Sequence, residues 1–112
     1  MKKRYLHNLK CTACSGKTPK LSDIEINNNL NNINDWNINI EREMIFKKTN
    51  FKTFKHALDF VNLIGHIAEK EKHHPDISLG YGYCLIMIHT HAIKGLSIND
   101  FILASKIDQI TL

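Results

Sequence analysis

Apolar residues recur at Ile26, Leu30 and Ile33, the i, i+4, i+7 spacing of one helix face. Ser22 stands just before this run with Glu25 three positions later, a capping box, and Leu21 and Ile26 occupy the N′ and N4 positions of a hydrophobic staple. Residues 27–39 hold eight asparagines, poor helix formers, so this helix must draw its stability from packing its isoleucine face. At Trp36 the period changes to two. Trp36, Ile38 and Ile40 alternate with Asn37 and Asn39, a charged turn follows at Glu41-Arg42-Glu43, and Met44 and Phe46 begin a second alternating run. That pattern predicts a β-hairpin.

A longer helical pattern comes next, with Asn50 as its cap. Phe54, Leu58, Val61, Gly65 and Ala68 mark one face, Ala57 and Ile64 flank it, and Pro75 ends it. Asp76 to Leu79 reads as a short strand, Gly80-Tyr81-Gly82 as a turn, and the apolar run from Tyr83 to Thr90 as a central strand. Gly95-Leu96-Ser97 restarts a helix with Ser97 and Asp100 as an acidic capping box and Leu96 and Phe101 as its staple. Leu103, Ala104, Ile107 and Ile110 form its apolar face. The predicted order is α-β-β-α-β-β-α: an α+β fold, a four-stranded antiparallel sheet with three helices on one face. Residues 1–20 read as a loosely structured leader and residues 21–112 as a single domain.

Composition narrows the class. The chain has 112 residues, enough for one core, with 43% hydrophobic and 23% charged residues, as in ordinary globular proteins. The net charge of +4 comes from the leader, where Lys2, Lys3, Arg4, Lys10, Lys17 and Lys20 cluster; this reads as a solvated basic segment, without a nucleic-acid-binding motif. No apolar run reaches the roughly 20 residues of a membrane span, and the basic start lacks the apolar stretch of an export signal. Three cysteines, Cys11, Cys14 and Cys84, make no disulfide framework, so a reducing cytoplasmic setting is expected.

The chemistry concentrates at Glu69-Lys70-Glu71-Lys72-His73-His74-Pro75-Asp76 and at His89-Thr90-His91. Four of the seven histidines fall within nineteen positions. Imidazole both accepts and donates a proton near neutrality, and it is also a common metal ligand, so clustered histidines suit proton transfer or a metal centre. A zinc site built from His73, His74, His89 and His91 is the rival reading; adjacent histidines seldom converge on one ion. Cys11-x-x-Cys14 is half of a zinc knuckle, a weak metal candidate with His7 as its nearest further ligand. His7, His56 and His66 read as surface residues. Asp100 and Asp108 read as capping and surface residues, and Trp36 as core.

Glu69, His73-His74-Pro75, Tyr81, Thr90-His91, Gly95-Leu96, Asp100, Leu103-Ala104 and Asp108 stand at the spacing found in the pterin-4a-carbinolamine dehydratases, also called 4a-hydroxytetrahydrobiopterin dehydratases. Trp36, the stretch from Phe46 to Phe54 and the helix leading into Ala68-Glu69 are similar to the family as well. Lys10-Cys11-Thr12-Ala13-Cys14 resembles a leader of some bacterial members. The resemblance spans roughly residues 10–110. Two positions depart from it: Ala92 stands where an acidic residue commonly follows the Thr-His, and Ile77 where an aromatic is frequent.

The resemblance implies removal of water from a 4a-hydroxytetrahydropterin to give the quinonoid dihydropterin, with no cofactor and no metal. It carries the catalytic role to His73, His74 and His91, with His74 as acid toward the hydroxyl and His73 or His91 as base and orienter. Glu69, four residues and one helical turn before His73, is placed to hold an imidazole tautomer or raise its pKa, and it belongs to the substrate-binding set. Lys72, His89, Thr90 and Ala92 join the substrate-binding set, His89 as an accessory, since the motif requires no histidine there. The resemblance also implies a homodimer or homotetramer and an aromatic amino acid hydroxylase as a pathway partner. The alternative is a non-enzymatic dimerisation or transcriptional cofactor module, or a molybdopterin-associated pterin-binding protein.

Overall fold

Seven regular elements follow in the expected order in a computed structural model that describes residues 6–111: α1 (Asp23–Leu30), β1 (Asn37–Ile38), β2 (Ile45–Asn50), α2 (Phe54–Glu71), β3 (Asp76–Gly80), β4 (Tyr83–Ile88) and α3 (Ile98–Asp108). Lys2, Lys3 and Arg4 of the basic leader lie outside the described residues. The strands form one antiparallel sheet in the order β1-β2-β4-β3, and the three helices cover one of its faces. Among the described residues, no helix is long and apolar enough to cross a membrane.

Register decides which side chains meet the helices. Ile45 pairs with Ile88, Lys47 with Ile86 and Thr49 with Cys84, while Ile77 and Leu79 sit beside Ile86 and Cys84 from the other flank. Alternation sends this set to one face, where Ile45, Cys84, Ile86 and Ile88 are fully buried against Ile64, Phe101 and Leu103. The opposite face carries Phe46, Leu85 and Met87, none of them fully buried. Met44 and Phe46 are therefore not the inward residues of this strand; Ile45 is. Three consecutive apolar residues gave the period no way to choose, and pairing with β4 made the choice.

The caps at Ser22 and Ser97 form as expected. Glu25 accepts from the Ser22 backbone N–H, and this hydrogen bond holds its carboxyl below the usual carboxylate range. Its contribution is present above the ordinary carboxylate pKa and is lost as pH falls through the lowered value. The cap of α2 is Thr53, whose hydroxyl accepts from the His56 backbone; Asn50 instead closes β2 opposite Tyr83. The buried stripe of α2 is Ala57, Phe60, Ile64 and Ala68, rotated from the expected face, and it leaves Phe54 and Leu58 exposed. Phe60 owes its burial partly to the Phe51 ring, 5.2 Å away between centroids. The turn between β3 and β4 uses Tyr81 and Gly82. Gly82 has φ +75°, and a Cβ there would come within 2.9 Å of the Phe51 carbonyl oxygen. β4 stops at Ile88, and Thr90 makes an isolated bridge to Gly95.

Helix α3 is enclosed nearly all round, so Asn99, Asp100 and Ser105 are buried beside its apolar residues, while Ile110 lies past its end. Asp108 is not a surface residue either. Its side chain is 3% exposed and accepts from Trp36 Nε1 at 2.9 Å, Lys47 Nζ at 3.1 Å and the Asn34 backbone at 2.8 Å. It thereby pins the end of α3 to the first hairpin, with Trp36 in the core as expected.

Among the described residues before α1 there is one 3-10 turn, Leu6–Asn8, and no other regular element, yet the stretch from Leu6 to Thr12 is tied down. Leu6 is fully buried in the core, Lys106 Nζ donates to the His7 carbonyl, and the Cys11 backbone donates to Glu71 Oε1 at 2.9 Å. Thr12 and Asn99 exchange two hydrogen bonds, Thr12 N–H to Oδ1 and Nδ2 to the Thr12 carbonyl, at 2.9 and 2.8 Å. Burial, helped by the Glu71 carboxylate, pushes the Cys11 thiol up to about 12, and burial alone pushes Cys84 to about 11.

Two outcomes follow from this packing. Leu6→Ala lowers stability by about 2–4 kcal/mol in urea denaturation, the usual cost of emptying a buried leucine site. In native protein at pH 8, Cys14 is the first thiol to react with a maleimide, followed by mass spectrometry. Cys11, with a thiolate fraction of about one in ten thousand, and the buried Cys84 react only on unfolding.

Candidate active site

The end of α2 builds one wall of the site. Lys72 takes the left-handed conformation, φ 55°, as the helix C-cap, and the His73 backbone donates back to the Ala68 carbonyl at 3.2 Å. This reversal separates two adjacent histidines. His73 turns inward and is 6% exposed, while the His74 side chain remains 59% exposed. His74 Nε2 lies 2.5 Å from Glu69 Oε2, across the last turn of the helix. Glu69, read from its spacing as one turn from His73, pairs instead with the imidazole of His74.

His73 is held by a different acid. Its Nε2 lies 2.6 Å from Oδ1 of Asp100, which is fully buried, and its Nδ1 lies 3.5 Å from the Cys14 sulfur. The second oxygen of Asp100 accepts from the Thr90 hydroxyl at 2.8 Å and from the Ser97 backbone N–H at 2.9 Å. Thr90 Oγ1 is also 2.8 Å from Ser97 Oγ. Both His73 nitrogens are thereby engaged, Nε2 by the Asp100 carboxylate and Nδ1 by the Cys14 sulfur. Asp100 occupies the first turn of α3, where the helix dipole favours a negative charge.

The second wall comes from the chain after β4. Thr90 and Gly95 exchange backbone hydrogen bonds, closing a loop that contains a 3-10 turn, His91–Ile93, and places His91 at the surface. Cys14, Lys72, His73, His74, His89, Thr90, His91 and Ala92 line one cleft of about 260 Å³. Three histidines from two separated segments therefore share a cavity with Lys72, His89, Thr90 and Ala92, and Glu69 reaches it through His74. The His89 and His91 rings pack at 4.0 Å between centroids, tilted by 60°.

The four-histidine metal cage is not assembled, because His73 is turned toward Asp100 and His74 toward Glu69. Cys11 and Cys14 are engaged by Asn99: Cys11 Sγ donates to its carbonyl at 3.6 Å, and Asn99 Nδ2 donates to Cys14 Sγ at 3.2 Å. Among the described residues, the ligand atoms that gather as if for an ion belong to Asp76, His89 and His91, within 4.8 Å of one another. Sequence reasoning missed three participants. Asp100 was read as a cap, which it is, but its other oxygen serves His73. Cys14 carried no signal that it would reach the cleft, and Asp76 read only as the start of a strand.

Residues 19–110 match the family model described as pterin 4 alpha carbinolamine dehydratase. A Rickettsia canadensis protein curated under the name pterin-4-alpha-carbinolamine dehydratase is 45% identical over 104 residues, covering 92% of this chain and 94% of its own. A Halorhodospira halophila protein with the same name is 42% identical over 98 residues, covering 88% and 90%. A crystal structure of a transcriptional coactivator/pterin dehydratase from Brucella melitensis superposes with a TM-score of 0.76 at 29% identity, covering 80% of this chain and 95% of that one. A pterin dehydratase-like RuBisCO assembly factor of the alpha-carboxysome shares the fold, with a TM-score of 0.58 at 20% identity. The chain belongs to the pterin 4 alpha carbinolamine dehydratase family, a family of hydro-lyases.

Proposed function

We propose that this chain dehydrates a 4a-hydroxytetrahydropterin to the quinonoid dihydropterin by histidine acid–base catalysis, in recycling of tetrahydrobiopterin. The observation that carries the reading is the meeting of His73, His74 and His91 in one cleft above the buried Asp100. The 4a-hydroxyl is a poor leaving group until it is protonated, and a ring nitrogen must shed its proton as the carbon–oxygen bond breaks. His74, with Nε2 occupied by Glu69, has Nδ1 left to protonate the departing hydroxyl, which leaves as water. His91 takes the ring-nitrogen proton. Each transfer accounts for about 10²–10⁴-fold in rate. His73, with both nitrogens engaged inside the protein, orients the site together with Thr90 and Asp100. Lys72 and His89 border the pterin, and Ala92 supplies a methyl where relatives commonly carry an acid.

The same reading places the chain in the cytoplasm, downstream of an aromatic amino acid hydroxylase that generates the hydroxypterin. It also makes the chain a homodimer or homotetramer. Phe54 and Leu58, one turn apart on α2, are 44% and 39% exposed, an apolar pair that a second copy would cover.

Three measurements test this. Stopped-flow absorbance on freshly generated 4a-hydroxytetrahydropterin shows turnover that a chelator does not reduce. His74→Ala lowers kcat by at least about 10²-fold with circular dichroism unchanged; full activity in that variant refutes the acid assignment. Asp100→Asn costs about 1–3 kcal/mol of stability. It also moves or broadens the slowly exchanging Nε2–H resonance of His73 in proton NMR, which a purely architectural aspartate would leave in place.

A further inference from the structure

His89 and Asp76 are not needed for the proton transfers above, and their placement has a chemistry of its own. Asp76 opens β3 opposite Met87 of β4, and His89 follows Met87 by two residues, so alternation puts Asp76 and His89 on the sheet face away from the helices. His89 Nε2 lies 3.5 Å from Asp76 Oδ2, too long for a strong hydrogen bond. His91 is two residues further on, with its ring against that of His89. One ligand atom from each of the three lies within 4.8 Å of the other two. Ion–ligand bonds of about 2.0–2.2 Å put donors of one ion roughly 3–3.5 Å apart, a contraction that small side-chain rotations supply.

We propose that Asp76, His89 and His91 form a binding site for a divalent first-row transition ion, with zinc the leading occupant. Two imidazoles and one carboxylate are the donor set of catalytic zinc and non-haem iron centres, and imidazole disfavours calcium and magnesium. The neighbouring histidines are committed elsewhere, His73 to Asp100 and His74 to Glu69, so the trio is the set with donor atoms to spare. Three protein ligands leave a coordination position open toward the cleft. His91 belongs both to this site and, on the dehydratase reading on which this part rests, to the proton-transfer pair. An ion bound through His91 removes the lone pair that would accept the pterin proton, so metal occupancy switches dehydration off.

Isothermal titration of the full chain with zinc chloride tests the site without reference to activity. The expected result is one saturable site per chain, with cobalt(II) in its place giving visible d–d absorption. His89→Ala and Asp76→Asn each weaken binding about tenfold or more with circular dichroism unchanged. His66→Ala, on the exposed side of α2, leaves it unaltered. Absence of saturable binding overturns the site, as does binding that survives His89→Ala but is lost in Cys14→Ser. For the switch, zinc at saturating concentration abolishes turnover in the wild type, and Asp76→Asn still turns over at that concentration. Zinc bound without inhibition of a turning-over enzyme overturns the switch. Zinc bound by a chain that shows no turnover in any form leaves the site standing and refutes the dehydratase reading instead.

Discussion

The buried carboxylate of Asp100 is the constraint on which the site depends. A charge removed from water is costly unless its lone pairs are occupied. Here the occupants come from three places in the chain: His73 from beyond α2, Thr90 from beyond β4, and the Ser97 backbone at the head of α3. Satisfying one acid therefore fixes the relative positions of the two histidine-bearing segments. It also divides the labour between adjacent histidines, because the residue tied to Asp100 gives up its freedom while His74 remains open to solvent. The left-handed Lys72 is the backbone's share of this arrangement, turning a straight helix exit into a corner.

Much of this was legible in the amino-acid sequence where side-chain chemistry and local geometry coincide. The boxes at Ser22 and Ser97 are local, since each donor and acceptor is three residues from its partner, and both form. The order of helices and strands followed from changes of period. Errors arose where a local pattern admitted several answers. Met44-Ile45-Phe46 is apolar throughout, and α2 has apolar residues on more than one side, so packing against β4 and α3 selected the inward set. Asp108 departs from its surface reading, and Asp100 has a partner in His73 beside its correctly read cap, because a sequence shows a carboxylate's neighbours along the chain and not its partners across it. Asp108 receives Trp36 from 72 positions away.

The first turn and the irregular segment that follows it changed the picture in another way. Little in Leu6–Cys14 repeats with a structural period, and the segment has almost no regular structure, yet the His7 carbonyl, the Cys11 N–H and both backbone groups of Thr12 are matched by Lys106, Glu71 and Asn99. Order here comes from pairing with side chains of an already formed domain, so propensity gave no warning of it. The elevated thiol pKa of Cys11 is a by-product of that docking, an inert sulfur beside an exposed one.

Cys14 borders the cleft, whereas the family match begins only at residue 19. Its Sγ lies 3.5 Å from His73 Nδ1, so this part of the rim is set by the segment before α1, ahead of the stretch the family model matches. An exchange there acts on the same imidazole that Asp100 holds from the other side, so the shape of the cleft's mouth and the orientation of His73 change together.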